Sequence, residues 1–266
     1  MFSEEPASSG RVSYSADIAH FNTNVQVPGP PVGWFWSHDI QADQIGALAL
    51  PGYQMQRLTV YGSGNLRRFA AFLERGAAVR FYAIDLKVDQ LQTEIRNTRS
   101  NAISLCVDAS TAEPRFTAIL EKNASPSSTV KADLNESELH KLINGPQSVE
   151  DLVTYSKNGG RKYAVILGKK DSPWLLFTDL SRNEVASNLD KSKARLTRIR
   201  AYSENGKTRY SGVAKPAGSM RWSWYTDLTA DALAEKLEDD NGYLLDLDAT
   251  SATNGLRFTA ILAKLK

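Results

Sequence analysis

The sequence predicts an α+β repeat protein, in which five βαββ units of about 47 residues close into a pseudo-fivefold, propeller-like α/β ring. Three recurrences predict it. An Asp followed by Ile or Leu returns at Asp39, Asp85, Asp133, Asp179 and Asp227, with separations of 46, 48, 46 and 48 residues. A basic residue followed by an aromatic trails each Asp by 29 or 30 residues, at Arg68, Arg115, Lys162, Arg209 and Arg257. Between the two markers, every unit carries the apolar pair that fixes the entrance to a helix.

The first strand of each unit precedes the marker Asp, in "GWFWSHD", "VRFYAID", "STVKAD", "WLLFTD" and "RWSWYTD". A helix follows, with Gln41, Lys87, Asn135, Ser181 and Thr229 at the N-cap position. An Ile or Leu stands just before each cap, and Ile45, Leu91, Leu139, Val185 or Leu233 stands four residues after it, the spacing of a hydrophobic staple. Asn135 with Glu138 and Ser181 with Glu184 form capping boxes, whereas Gln41 and Lys87 are poor caps. Apolar spacing such as Leu228, Leu233, Leu237 predicts helices of about 10–12 residues. The second strand is rich in β-branched and aromatic residues, as in "RLTVYG" and "AISLCVD". A turn with Gly or Asn, such as "SKNGG" or "SENG", then leads into the last strand, such as "RFTAIL" or "KYAVIL".

Units of this size cannot bury their own apolar faces, so neighbours must stack. The units are assigned to residues 33–76, 77–123, 124–170, 171–217 and 218–266, one domain spanning 33–266. The arrangement is either a closed ring or an open curved solenoid. Terminal units of an open stack usually turn polar. Here the outermost units are the most aromatic, with Trp34, Phe35 and Trp36 first and Trp222, Trp224 and Tyr225 last, which favours closure. The plan is similar in outline to the pentein fold, an analogy of architecture alone. Residues 1–32 form an N-terminal extension, in which 11–27 are expected to add a strand that latches the ring and "VPGPPVG" to act as a stiff connector.

The pattern Trp-x-x-x-x-Asp-Leu-Thr-Ala-x-x-Leu followed by Arg-Phe-Thr-Ala-Ile, as in "WYTDLTADALAEKLEDDNGYLLDLDATSATNGLRFTAIL", resembles a known tandem repeat. It is similar to the repeats of the non-catalytic N-terminal region of fungal polyglycine hydrolases and of related bacterial tandem-repeat proteins. The third unit is the loosest match, since its first strand lacks the tryptophan. In that family the hydrolytic serine belongs to a separate β-lactamase-like domain. The resemblance thus implies the repeat module and transfers no catalytic residue.

Composition narrows the function classes. The 32 basic and 30 acidic residues leave a net charge of +2, which gives no electrostatic reason to name nucleic acid as the partner. Locally basic stretches, "KSKARLTRIRAYS", "GGRK" and "GKK", read as solvated strand faces. No run of about 18 apolar residues is present, so no membrane span is expected. The opening "MFSEEPASSG" is unlike a secretory leader, which places the chain in the cytoplasm or outside the cell with its leader removed. The single cysteine, Cys106, allows no internal disulfide and no thiolate zinc cluster, and its apolar run "AISLCVDA" reads as a buried, inert thiol. His20, His38 and His140 lie in no recognisable motif. With no serine elbow, phosphate loop or zinc ligand set, the expectation is no enzyme, no metal and no cofactor.

Comparison of the units with one another separates two kinds of residue. Those shared by all five, the marker Asp and the marker Arg or Lys, are expected to serve the fold by bonding helix-entry amides or pairing with one another. The alternative is a ring of charges around a pore that binds a polyvalent anion. Three residues before each Asp stands an apolar residue that reads as core. Five before stand Trp34, Arg80, Ser128, Trp174 and Trp222, on the same strand face. Such variation suits ligand recognition, so Trp34, Trp174 and Trp222 are candidate exposed platforms for a sugar ring or peptide, with Arg80 and His38 beside them. The expected function is a non-catalytic, lectin-like or peptide-binding module; the alternatives are a protein–protein scaffold and, behind it, a hydrolase of unknown class.

Overall fold

The computed structural model describes residues 10–15, 31–123, 127–252 and 255–264. Its strands group into five small antiparallel sheets with few helices. The first sheet contains β2 (Trp34–Ile40), β3 (Tyr53–Tyr61) and β4 (Arg68–Arg75), and the second β5 (Arg80–Leu86), β6 (Ser100–Asp108) and β7 (Arg115–Lys122). The third holds β8 (Thr129–Leu134), β9 (Gln147–Lys157) and β10 (Gly160–Lys169), the fourth β11 (Leu175–Leu180), β12 (Ala194–Glu204) and β13 (Lys207–Pro216), and the fifth β14 (Trp222–Leu228), β15 (Gly242–Ala252) and β16 (Gly255–Lys264). In every sheet the last strand lies between the first and the second. Tight hairpins with Asn158-Gly159 and Asn205-Gly206, all at positive φ, join second and last strands in the third and fourth sheets. This is the turn whose twist matches that of paired strands.

Helices α1 (Val88–Thr98), α2 (Glu136–Lys141), α3 (Arg182–Ser192) and α4 (Ala230–Asp239) follow the first strands of the second to fifth sheets. After the first strand of the first sheet comes instead a 3-10 helix, Ala42–Leu48, and α2 is only six residues long, continued by a 3-10 turn over Leu142–Asn144. Both are shorter than the apolar spacing predicts. Gly46 within the first explains part of this, since glycine weakens an α-helix interior, and a Cβ there would meet the Tyr82 hydroxyl at 2.9 Å. Caps behave as their chemistry dictates. Asn135 and Ser181 each accept from the amide three residues on, while Glu138 and Glu184 reach back to the cap amides. Gln41 and Lys87 supply no such forward bond, although Gln44 and Gln90 still reach back.

The core is divided into five apolar clusters, each shared by two sheets. Leu91 and Ile95 of α1 and Phe116 of β7 meet Val130, Val153 and Ile166 of the third sheet. Leu139, Val149 and Leu167 meet Trp174, Leu176 and Val213. Val185, Leu189 and Leu196 meet Ile261 with Trp222 and Trp224, Leu233 and Leu247 meet Ala70 and Phe72 with Trp34 and Trp36, and Ile45 and Phe69 meet Cys106 and Ile119. The first sheet therefore touches the last as well as the second. Trp36 packs edge-on against Phe258 at 5.6 Å, and His38 lies 5.7 Å from the same ring. Second strands neighbour one another, β3 against β6, β6 against β9, β9 against β12, β12 against β15, and β15 against β3.

Strand β1 (Arg11–Tyr14) pairs antiparallel with β11, adding an outer strand to the fourth sheet and not lying between the first and last sheets. His140 explains that choice: its Nε2 is 2.9 Å from Thr178 Oγ1 on β11 and its Nδ1 is 2.6 Å from Ser13 Oγ on β1. Because the Thr178 hydroxyl donates to Glu136 Oε1, His140 donates from Nε2; burial keeps the ring neutral, so Nδ1 accepts from the Ser13 hydroxyl. Burial and the nearby Arg11 charge lower its pKa to about 4. His20 and residues 27–30 of the expected connector lie outside the described residues.

Candidate functional site

The five marker aspartates share one backbone state. Asp39, Asp85, Asp133, Asp179 and Asp227 all have φ between 55° and 59°, in the left-handed region. Each sits where the first strand spends one extra residue against the last, for instance between Ser37 and Ile40 opposite Ala71 and Phe69. Asp tolerates this conformation better than most residues with a Cβ. Its carboxylate then meets a cation. Arg68, Arg209 and Arg257 approach Asp39, Asp179 and Asp227 at 3.3, 3.7 and 3.2 Å, while Lys157 and Tyr155 serve Asp133. Arg67, just ahead of β4 in the first sheet, serves Asp85.

A second register, which carries no sequence likeness, does converge. Each second strand has a bulge at Gln56, Ile103, Glu150, Thr197 or Leu245. The next residues are Arg57, Ser104, Asp151, Arg198 and Asp246. Arg57 Nη1 lies 2.5 Å from Asp151 Oδ2 and 3.0 Å from Ser104 Oγ, and its Nε stands 2.7 Å from Asp246 Oδ1 without the angle of a hydrogen bond. Arg200 bridges Asp151 and Asp246 at 2.7 and 2.8 Å. Strand amides complete the set, with Leu105 donating to Asp151, Ile199 to Asp246 and Ala201 to Asp248. Burial works against these charges, but Arg200, Arg57 and Arg198 outweigh it at Asp246 and hold its carboxyl below the usual range. At Asp248 burial prevails and lifts the pKa to about 6.

Hollows open on both sides of this network. One, of about 150 Å³, is lined by Thr59, Cys106, Thr154, Arg200 and Asp248. The Cys106 thiol is free and buried, and burial pushes its pKa well up, so it carries no thiolate at neutral pH. The other hollow, about 220 Å³, is lined by Glu150, Arg195, Thr197, Arg198, Lys215 and Leu245. The basic run of β12 therefore is not a solvated face. Arg198 and Arg200 turn towards Asp151 and Asp246 on neighbouring strands, whereas Arg195 meets no carboxylate among the described residues. A charged residue inside an apolar strand, as in "MQRLTV", "SVEDLV" and "YLLDLD", is the one signal that could have marked this cluster.

The expected aromatic platforms fare differently. Trp174 is 0% exposed, so it is core and not a platform. The face it shares with Leu176 packs against the third sheet, and Ser15 takes both its backbone groups, accepting at 2.7 Å and donating at 2.8 Å. Trp34 and Trp222 are half-buried at sheet junctions, His38 is exposed, and Arg80 is half-buried, bonded to Glu121, Gln56 and the Met55 carbonyl. Trp34, Arg80 and Trp222 each begin an outer strand, β2, β5 or β14, whose outer side has no strand partner among the described residues. On β8 the equivalent side is partly covered, since Gln92 donates to the Val130 carbonyl.

Among the described residues, no three His, Cys, Asp or Glu side chains gather as a metal site, and no helix is long and apolar enough to cross a membrane. No family model matches the chain, and no curated relative matches it.

Proposed function

We propose that this protein is a non-catalytic binding module, five βαββ units closed into a pseudo-fivefold ring, that holds extended peptide segments on its outer strand edges. The closed-ring reading is supported by the cyclic order of neighbours among second strands and by the core shared between the last sheet and the first. The repeat reading rests on the marker aspartates with their common φ and on the common strand order. The likeness to the non-catalytic repeats of polyglycine hydrolases is in keeping with both.

One observation carries the peptide reading: the chain already places an extended segment, β1, on the outer edge of β11. Leu175–Thr178 pair with Tyr14–Arg11, immediately before the Asp179 bulge. The outer edges of β2, β5 and β14 offer the same short stretch before their own bulges. Main-chain hydrogen bonds would give affinity there, with Trp34, Arg80 and Trp222 at the entrance for side-chain selection. Each ladder is short and each site weak, so several edges acting together raise avidity. A carbohydrate reading keeps only Trp34 and Trp222, half-covered, and is the poorer fit.

A nine-residue peptide library displayed on phage, selected on the whole chain, tests this. Hydrogen exchange with an enriched peptide should show new protection at residues 34–37, 80–83 or 222–225. No enrichment, or protection confined to other regions, refutes the edge as the binding site.

A further inference from the structure

We propose that the hollow between Arg195, Arg198 and Lys215 binds a small oxyanion group: phosphate, sulfate or carboxylate. This inference is independent of the peptide reading. Arg195 on β12 and Lys215 on β13 are direct cross-strand partners, a placement that sets two like charges face to face and is destabilising by itself. At the same register other sheets set Gln54 opposite Glu74, Asn101 opposite Glu121, Ser148 opposite Gly168 and Tyr243 opposite Ala263. Only the fourth sheet opposes two cations.

Lys215 is answered by protein carboxylates, with its Nζ 3.3 Å from Glu150 Oε1 and 3.2 Å from Asp171 Oδ1. Arg195 is not. No carboxylate among the described residues pairs with it, and its Nε is buried with no hydrogen-bond partner. Its burial holds the guanidinium pKa below the ordinary value, with Tyr243 offsetting only part of that. Arg198 Nε is likewise buried without a hydrogen bond, 3.6 Å from Asp151, whose oxygens are already engaged by Arg57 and Arg200. Two guanidinium groups with unused donors and an ammonium thus border an opening of about 220 Å³ against one lining carboxylate, Glu150. Planar guanidinium donors suit the oxygens of a phosphate, sulfate or carboxylate, and burial makes each such bond count for more than it does in water.

Thermal unfolding of the whole chain, at constant ionic strength with chloride exchanged for phosphate, sulfate or acetate in separate arms, gives the test. A further pair of arms compares glucuronate with glucose, so that a carboxylate on a sugar is told from the sugar itself. We expect a saturable rise in Tm with at least one oxyanion and none with glucose. Arg195→Gln should weaken the apparent affinity at least tenfold, Arg195→Lys should weaken it less, and Lys131→Gln, on an exposed position of β8, should leave it unchanged. Without added oxyanion, Arg195→Gln should melt no lower than the parent, because an unpaired buried charge has been removed; this separates loss of the site from loss of the fold. Absence of a saturable rise in every arm, or a rise that Arg195→Gln leaves intact, overturns the proposal.

Discussion

Arg57 on β3 and Asp151 on β9 meet at 2.5 Å, both almost wholly buried, although they belong to the first and third sheets. Asp151 is in turn held by Arg200 of the fourth sheet, and Arg57 by Asp246 of the fifth. The inner strands of four sheets are thus joined through charge pairs that water scarcely reaches. Such pairs contribute little net stability when complete, yet removing one partner strands the other. Arg57→Ala should lower stability by about 3–5 kcal/mol, measured by urea denaturation. A loss below about 1 kcal/mol, the range of exposed pairs, would show that water or another cation replaces the guanidinium.

The marker aspartates answer to backbone geometry before charge. Asp227 has φ 59° and its side chain is 78% exposed, so its pairing with Arg257 at 3.2 Å is worth little. Asp227→Gly should be close to neutral. Asp227→Val should cost about 1–2 kcal/mol, because a β-branched side chain is poorly accommodated in the left-handed region. Equal stabilities for the two variants would mean that the bulge relaxes to another conformation.

Two buried titratable groups should tilt the pH dependence of stability in opposite directions. His140 has its folded pKa depressed to about 4 from 6.5, so its contribution is complete above pH 6.5 and is lost as pH falls toward 4. Asp248 has its folded pKa raised to about 6 from 3.8, so its contribution is complete below pH 3.8 and is lost as pH rises through 6. Between about pH 4 and 6 the two oppose each other. His140→Gln should leave a stability that declines with rising pH in that window, and Asp248→Asn one that climbs more steeply than the parent. Denaturation midpoints at half-unit pH steps decide it; parallel curves for both variants would contradict the assignment.

How legible all this was from the sequence depends on whether a residue answers to local backbone geometry or to contacts between sheets. The marker aspartates and the helix caps answer to local backbone geometry, so the same physics selects the same residue type each time. Asp39 and Asp227 are alike because each turns the same bulge. Arg57, Ser104, Asp151, Arg198 and Asp246 stand at one register of the second strands but complement one another across sheets, cation against carboxylate or hydroxyl. Comparison of the strands with one another therefore hides them, because each of these residues answers a different neighbour. Trp174 was misplaced for the same reason. Its variation from unit to unit, to Arg80 or Ser128, reflects different neighbours at each sheet junction, Glu121 and Gln56 for Arg80 and the third sheet's core for Trp174.

The three tryptophans at that register should accordingly separate by experiment. Trp174→Ala removes the largest fully buried side chain and should cost about 3–5 kcal/mol, the range for emptying a core aromatic site. Trp34→Ala and Trp222→Ala, half-buried at their junctions, should each cost less than Trp174→Ala. Iodide should quench the fluorescence of Trp34 and Trp222 more than that of Trp174, read in variants that keep one of the three with the other four tryptophans of the chain changed to Phe. If the Trp174 indole were quenched as readily as Trp222, the packing of the fourth sheet against the third would have to be open to solvent, and the burial that makes Trp174 a core residue would be wrong.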